Sequence, residues 1–141
     1  MLPRPDLAAA FAEWVLSDRH DDMVPVPPHR DDDGVHVDAL PAPTVAWELS
    51  DHSAPLPDAV GLALRLPAGA TFAHAARLLW CLRDDETLNC WTYDEAIRAL
   101  QTMPAATFRR YYDVVDEAVD AVTTTLPVWP GADDATPSPA A

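Results

Sequence analysis

Apolar residues recur at helical spacing at the start of the chain, within residues 1–17. They are Leu7, Phe11, Trp14 and Val15. Side chains spaced by three or four residues share one face of a helix. We therefore predict an amphipathic N-terminal helix whose apolar stripe docks on the rest of the chain or on another subunit.

Residues 18–58 lose this helical pattern because seven prolines fall among them. Proline lacks a backbone donor and fixes φ, which excludes long helices. The turn signal DDDG at 31–34 precedes the run VHVDAL at 35–40, and TVAWEL at 44–49 is a second apolar run. We predict both runs as strands, in a small irregular β-hairpin or in an extended Pro-rich arm that wraps a neighbour.

Residues 59–66 alternate between larger and smaller side chains and are followed by a Pro-Ala-Gly turn signal. Leu62, Leu64 and Leu66 would share one face of an extended chain. This alternation predicts a third strand.

Residues 71–124 carry the signals of three helices. Thr71 is a predicted N-cap for the first helix, and Thr92 with Glu95 forms a capping box for the second. Pro104 ends the second helix and precedes a third over about 105–124. The fold class expected is α+β: a small irregular β-hairpin or extended Pro-rich arm plus a C-terminal three-helix body.

These patterns divide the chain into four parts. They are an amphipathic helix at 1–17, a Pro-rich arm with short strands at 18–58, a strand with a helical body at 59–125, and a flexible acidic tail at 126–141. The tail has low complexity and few bulky apolar residues, which is typical of segments that stay disordered without a partner.

Charge narrows the range of partners. The chain has nine Arg, no Lys and 23 acidic residues, for a net charge of −14. This negative field disfavours direct binding to nucleic acid or to an anionic membrane, and no apolar run is long enough for a membrane span. The charge suits a basic protein partner, mimicry of nucleic acid, or solubility alone.

Candidate chemistry is sparse. None of the five histidines has metal-ligand spacing, and no nucleophile elbow or phosphate-binding glycine loop occurs. Cys81 falls inside an apolar helix, where burial would keep the thiol protonated. Arg109 and Arg110 could suggest a DNA-reading helix, but carboxylates at Asp113 and Asp116 follow them. We predict no catalytic residue, no metal and no cofactor.

Tryptophan is frequent, with five residues in the chain, and it often anchors protein interfaces. Trp80 would belong to the core, and Trp91 would either join it there or bind a partner. Trp47 and Trp129 either bind partners or pack on the body. The predicted partner-binding residues are Trp14, Trp47, Trp91, Tyr93, Arg109, Arg110, Tyr112 and Trp129.

A predicted strand and helix precede the segment WTYDEAIRALQTMP at 91–104, and a helix with spaced aromatics follows it. This order resembles the tail assembly chaperones of tailed phages and contractile injection systems. The matching residues are Trp91, Thr92, Glu95, Leu100 and Met103. The resemblance covers 59–124 and implies that the helix pair contacts tail components. The N-terminal helix and the arm at 18–58 lie outside the pattern, which widens the implied function to a tail, head or baseplate-associated structural protein.

The resulting expectation is a non-enzymatic, protein-binding virion or assembly component of a phage-like particle. Its partners would be subunits of a larger assembly, met in the host cytoplasm or in the particle. Two alternatives stay open: an acidic inhibitor or DNA mimic that occupies a basic cleft, and a small metal-dependent enzyme in which three histidines and nearby aspartates converge.

Overall fold

The computed structural model describes residues 4–125, so the predicted tail at 126–141 and Trp129 within it lie outside the described residues. Within this range the protein has six helices and one two-stranded antiparallel sheet, which confirms an α+β fold. The elements, in chain order, are α1 Arg4–Leu16, β1 Met23–Arg30, β2 His36–Pro41, α2 Ala42–Leu49, α3 Asp58–Ala63, α4 Phe72–Asp84, α5 Tyr93–Thr102 and α6 Ala105–Thr125.

The first part of the Pro-rich segment forms a β-hairpin, made of β1 and β2, rather than an extended arm. β1 pairs with β2 in a register that places Val24 opposite Leu40. The DDDG turn joins them: the Asp31 side chain accepts hydrogen bonds from the backbone N–H groups of Asp33 and Val35, both at 2.9 Å. Val24 is fully buried, so the hairpin belongs to the core of the protein.

The predicted strand at 44–49 is wrong, because these residues belong to helix α2. Val45, Ala46 and Leu49 are buried at helical spacing. Pro43 lies in the first turn of α2, the one part of a helix where a missing N–H costs nothing.

The predicted strand at 59–66 is also wrong, since residues 58–63 form helix α3. Val60 and Leu64 are both fully buried, whereas Leu62 is 80% exposed. The spacing of four between the two buried residues is helical, and tertiary contacts favoured it over the alternation of leucines.

Arg65 closes α3 in an unusual conformation, with φ of +61°, which costs free energy for a residue with a side chain. Its guanidinium Nη1 donates to the carbonyl oxygens of Leu100 at 2.9 Å and Met103 at 2.6 Å. The guanidinium also lies 5.0 Å from the centroid of the Phe108 ring. Arg65 therefore satisfies the C-terminal carbonyls of α5 and fixes the junction between α5 and α6.

The N-terminal helix is confirmed, and its predicted stripe is fully covered. Phe11 is 2% exposed and its ring meets that of Phe72 edge-on, with centroids 6.1 Å apart. Trp14 packs on Tyr93 with centroids 5.8 Å apart. These contacts join α1 to α4 and α5, so one continuous core unites the first and last parts of the described chain.

Both predicted helix caps are confirmed. The Thr92 side chain accepts from the Glu95 N–H at 3.2 Å, and Glu95 Oε1 accepts from the Thr92 N–H at 3.1 Å. At α4, Thr71 is the N-cap, and His74 occupies the position of the usual Glu: its Nδ1 accepts from the Thr71 N–H at 3.1 Å.

Helix α6 begins after Pro104, whose carbonyl accepts the Phe108 N–H at 3.0 Å. It runs antiparallel to α4, because Asp116 bonds to His74 near the start of α4 and Tyr111 bonds to Asp85 just after its end. Among residues 105–120, only Val115 is fully buried within α6. In the described part of the chain, none of the helices combines the length and apolar character that crossing a bilayer requires.

Candidate protein-binding groove

Three helices leave large apolar side chains exposed beside one another. Trp47 of α2 is 72% exposed, Trp80 of α4 is 38% exposed and Val114 of α6 is 62% exposed. All three line the same depression between these helices, which we call the α2–α4–α6 groove. Contiguous exposed apolar surface of this kind is typical of protein-binding sites.

The groove follows a stripe along α4. Arg77, Cys81 and Asp84 lie on it at spacings of three or four residues, so the stripe from Arg77 to Asp84 is about 10 Å long at the helical rise. Two adjoining cavities of about 260 and 380 Å³ make up the groove, and both touch Trp80, Cys81 and Val114. The remaining lining residues are Ala46, Trp47, Ser50, Ala76, Tyr111, Val115 and Ala118.

The two ends of the groove carry opposite charges. At the α2 end, Arg77 Nε donates to the Ser50 carbonyl at 3.0 Å. At the other end lie Asp84 and Asp85, and the Tyr111 hydroxyl donates a short hydrogen bond to the Asp85 carboxylate. An occupant of the groove would therefore meet a cation at one end and carboxylates at the other.

Cys81 lies between these ends and is half-buried rather than a fully buried core residue. Burial raises the pKa of the Cys81 thiol, Asp84 raises it further, and Arg77 acts in the opposite direction. The thiol is therefore protonated at neutral pH, and the floor of the groove presents a weakly polar surface instead of a nucleophile. Burial also raises the pKa of Cys90, with a smaller contribution from Glu95.

The hydrogen bond between Tyr111 and Asp85 shifts the pKa of both groups. Partial burial and the Asp85 carboxylate raise the pKa of Tyr111 to about 12. Hydrogen bonds from Thr87 and then from Tyr111 lower the pKa of Asp85. This contact ties α6 to the loop that follows α4 and forms the acidic end of the groove.

Two predicted partner-binding residues are not available to a partner. Trp14 is 4% exposed and Tyr93 is 1% exposed, and each ring covers the other. Burial raises the pKa of Tyr93 well above its ordinary value. Their assignment to an interface was wrong because α1 and α5 meet each other in the core, which helical spacing alone does not reveal.

Trp80 and Trp91 are both too exposed to be core residues. Trp80 lines the groove, and Trp91 is 73% exposed just before α5. Of the predicted surface tryptophans, Trp47 lines the groove, whereas Trp91 does not.

The predicted partner-binding residues of α6 differ in their exposure. Arg109 and Arg110 are exposed, but neither lines the groove. Tyr112 is half-buried, and its ring stacks on His74 with centroids 5.9 Å apart. Tyr112 therefore contributes to the attachment of α6, on a different side of the helix from Val114.

His74 and Asp116 form a contact that the sequence analysis missed. His74 Nε2 lies 2.9 Å from Asp116 Oδ1, while Nδ1 accepts the Thr71 N–H. The neutral imidazole with its proton on Nε2 satisfies both contacts. Although Thr71, His74 and Asp116 are aligned like a nucleophile, base and acid, Nδ1 is already occupied by a backbone donor and the Thr71 hydroxyl caps α4. These contacts join the start of α4 to α6.

A buried histidine also links α1 to α5. His20 is 8% exposed; its Nε2 lies 2.9 Å from the Val15 carbonyl, and its Nδ1 lies 3.2 Å from Asp94. Asp94 also accepts from Arg98 at 2.9 Å. Among the residues that the structure describes, no three His, Cys, Asp or Glu side chains are placed to hold a metal ion, so the convergence required by the metal-enzyme alternative is not seen there.

A larger cleft of about 650 Å³ lies between α1 and β1. Charged side chains border it, including Glu13, and Arg19 pairs with Asp21 at 2.9 Å. Trp14 lines it but is 4% exposed. Met23, Pro25 and Pro27 give this cleft some exposed apolar surface, but its tryptophan is buried and charged side chains surround it, whereas two exposed tryptophans line the α2–α4–α6 groove. The groove is therefore the stronger candidate site.

Comparisons of the chain with protein-family models, with curated proteins and with solved structures find no match. The geometry and charge of the groove are therefore the main indications of function.

Proposed function

We propose that this protein is a non-enzymatic binding protein that holds an apolar segment of another protein in the α2–α4–α6 groove. The observation that carries the proposal is the exposure of Trp47, Trp80 and Val114 around one depression. Tryptophan anchors that fill or border a pocket supply much of the binding free energy at protein interfaces.

The chemistry of the groove favours binding over catalysis. Its one thiol has a raised pKa, and its Asp85 carboxylate is already bound to Tyr111 and Thr87. A general base needs a free lone pair near a reacting proton. Asp84 is exposed and keeps free lone pairs, but within the described range 4–125 no histidine lines the groove beside it. The remaining lining is mainly apolar, which suits shape-complementary contact.

The setting that we propose is assembly of a phage-like particle, with the partner among its subunits. The support for this part is the resemblance of residues 59–124 to tail assembly chaperones, although the leading strand of that pattern is helix α3 here, together with an exposed site on the helices α4 and α6 that belong to that region. An assembly protein needs a site that stays open until its partner arrives, and exposed tryptophans meet that requirement.

One observation favours a second candidate, an acidic inhibitor or nucleic-acid mimic. Asp113, Glu117 and Asp120 are exposed along α6 at spacings of four and three residues, which places the three carboxylates on one helix face. A basic cleft could bind this row. Such binding would weaken steeply with salt and would not depend on Trp47.

The test is site-specific crosslinking in the natural host, with a photoreactive amino acid in place of Trp47. We expect a discrete adduct with one protein, and we expect Val114→Asp to abolish it. The matched control is Val35→Asp, since Val35 is 57% exposed on the hairpin and receives the same new charge without touching the groove. A second control places the photoreactive group at Trp91.

The identity of the adduct separates the candidates. A subunit of a particle supports the assembly function, and a nucleic-acid-binding enzyme supports the inhibitor. An adduct that survives Val114→Asp, or that forms equally from position 91, would show that partners do not use the groove.

A further inference from the structure

The walls of the groove restrict the backbone conformation of whatever binds there. α2, α4 and α6 are helices, and their interior N–H and C=O groups are already paired within each helix. An extended segment in the groove would therefore bury backbone polar groups without partners, which is costly. A helical segment satisfies these groups internally, as in other complexes where an amphipathic helix occupies an apolar groove.

The dimensions of the groove agree with a helical occupant. The stripe from Arg77 to Asp84 is about 10 Å long, or about two helical turns. Trp47 lies at the α2 end and Trp80 at the centre, with Val114 on the opposite wall. An apolar stripe of two to three turns on the occupant would cover these three side chains.

Charge determines which residues the occupant carries at one end. Asp84 is exposed and Asp85 is half-exposed at the end remote from Trp47, and their field reaches the groove floor because both raise the pKa of Cys81. Arg110 is the cation that lowers the pKa of Tyr111 at this end, and its effect is the smallest of those that act on this hydroxyl. The net field of this end is therefore negative, in a chain of net charge −14.

We infer that the occupant of the groove is an amphipathic α-helix of another protein, two to three turns of which are apolar, with an Arg or Lys at the end that lies over Asp84 and Asp85. This inference rests on the proposed function, because it specifies the partner of the same groove. It excludes an extended peptide and an acidic helix as good ligands.

The test uses three synthetic peptides of about four helical turns that share one leucine stripe. The first carries lysines at one end, the second carries glutamates at the same positions, and the third is the lysine peptide with a central proline. The complete protein is titrated with each peptide, and binding is followed by fluorescence anisotropy. Protection of Cys81 from alkylation locates the peptide, with Cys90 as the internal reference because it lies outside the groove lining.

The lysine peptide is expected to bind about tenfold more tightly than the glutamate peptide at low salt, and high salt should reduce this ratio. The proline peptide should bind about a hundredfold more weakly than the lysine peptide, since proline breaks a helix interior. Trp47→Ala should weaken the lysine peptide at least about tenfold. Asp84→Asn should weaken it about three- to fivefold, and the control Asp32→Asn, in the exposed hairpin turn, should have no effect.

Each contrary result has a separate meaning. Equal binding of the lysine and glutamate peptides, still sensitive to Trp47→Ala, would overturn the charge of the occupant and leave the groove as a binding site. Equal binding of the proline peptide would overturn its helical conformation. Failure of all three peptides to protect Cys81 would overturn the inference as a whole, whereas the crosslink from position 47 decides the proposed function independently.

Discussion

Helices α1 and α6 are both rich in aromatic and aliphatic residues, but they are held in different ways. α1 buries its whole apolar stripe, with Phe11 and Trp14 at 4% exposure or less. α6 buries only Val115 completely among its described side chains and leaves Val114 62% exposed. Directional contacts also hold α6: a cation–π contact at Phe108 and hydrogen bonds at Tyr111 and Asp116.

This difference indicates how one small domain keeps an apolar surface open. A helix attached mainly by apolar burial turns its apolar residues inward, as α1 does. Polar contacts along one side of α6 fix its orientation while Val114 remains exposed beside Trp80. The groove thus depends on polar attachments that lie around it, and each can be tested separately.

The largest expected effect comes from a matched pair of Phe→Ala substitutions. Phe11→Ala should lower the free energy of unfolding by about 3–5 kcal/mol, because Phe11 is buried and a cavity would remain. Phe108→Ala should cost about 1–2 kcal/mol, because that ring is only half-buried. Urea denaturation measures both, and equal losses would remove the distinction between the two helices.

Arg65 should have the next largest effect. Arg65→Ala removes both hydrogen bonds to the α5 carbonyls and the contact with Phe108, and it keeps a side chain at positive φ. We expect a loss of about 2–3 kcal/mol. Arg65→Gly should be about 1 kcal/mol less harmful, since glycine adopts this conformation without strain. Thermal denaturation of the two variants checks the order, and a reversed order would contradict the role of backbone strain.

The contact between His74 and Asp116 should contribute less. Asp116→Asn retains the shape of the side chain but weakens acceptance from His74 Nε2, and we expect a loss of about 1 kcal/mol. Glu117→Gln is the control, because Glu117 is exposed on the same helix and loses the same charge. A double-mutant cycle with His74→Ala measures the coupling, and a coupling near zero would mean that this pair does not hold α6.

The smallest effect should be a change in pH dependence at Tyr111. The raised pKa of Tyr111 means that the neutral hydroxyl is favoured in the folded protein, so its contribution is complete below pH 10 and is lost as pH rises toward the folded pKa of about 12. Tyr111→Phe should remove this loss. We expect a difference below about 1 kcal/mol, since solvent screens this exposed pair.

The measurement is urea denaturation of wild type and Tyr111→Phe at several pH values between about 9 and 12. Tyr93 and Tyr112, whose pKa values are also raised by burial, are present in both proteins and cancel in the difference. In acid, the lowered pKa of Asp85 has the opposite sign: its stabilising contribution is present at neutral pH and is lost as pH falls below the ordinary range. A wild-type curve parallel to that of Tyr111→Phe would contradict the contact.

Local signals in the sequence were sufficient for several elements. The caps at Thr71 and Thr92 and the turn at 31–34 were predicted because each depends on residues close together in the chain. The strands predicted at 44–49 and 59–66 were wrong because short apolar runs fit either period. Packing against α1 favoured the helical period in both segments.

The groove was likewise predictable only in part. Trp47 was predicted to be a contact residue, with packing on the body as an alternative, and it is exposed. Trp80 was assigned to the core because it lies within an apolar helix. Neither Val114 nor the acidic end at Asp84 and Asp85 was connected with Trp47, since these residues are far apart in the chain and meet only when α4 packs against α2 and α6.

The sequence by itself determined the starts of α4 and α5, the turn between β1 and β2, the negative charge and the apolar stripe of α1, because these follow from the residue types themselves or from residues within a few positions of one another. Only the tertiary structure decided which apolar residues stay exposed. The exposure of a helix face depends on how much of it other elements cover. They cover the whole apolar stripe of α1 but only one side of α6.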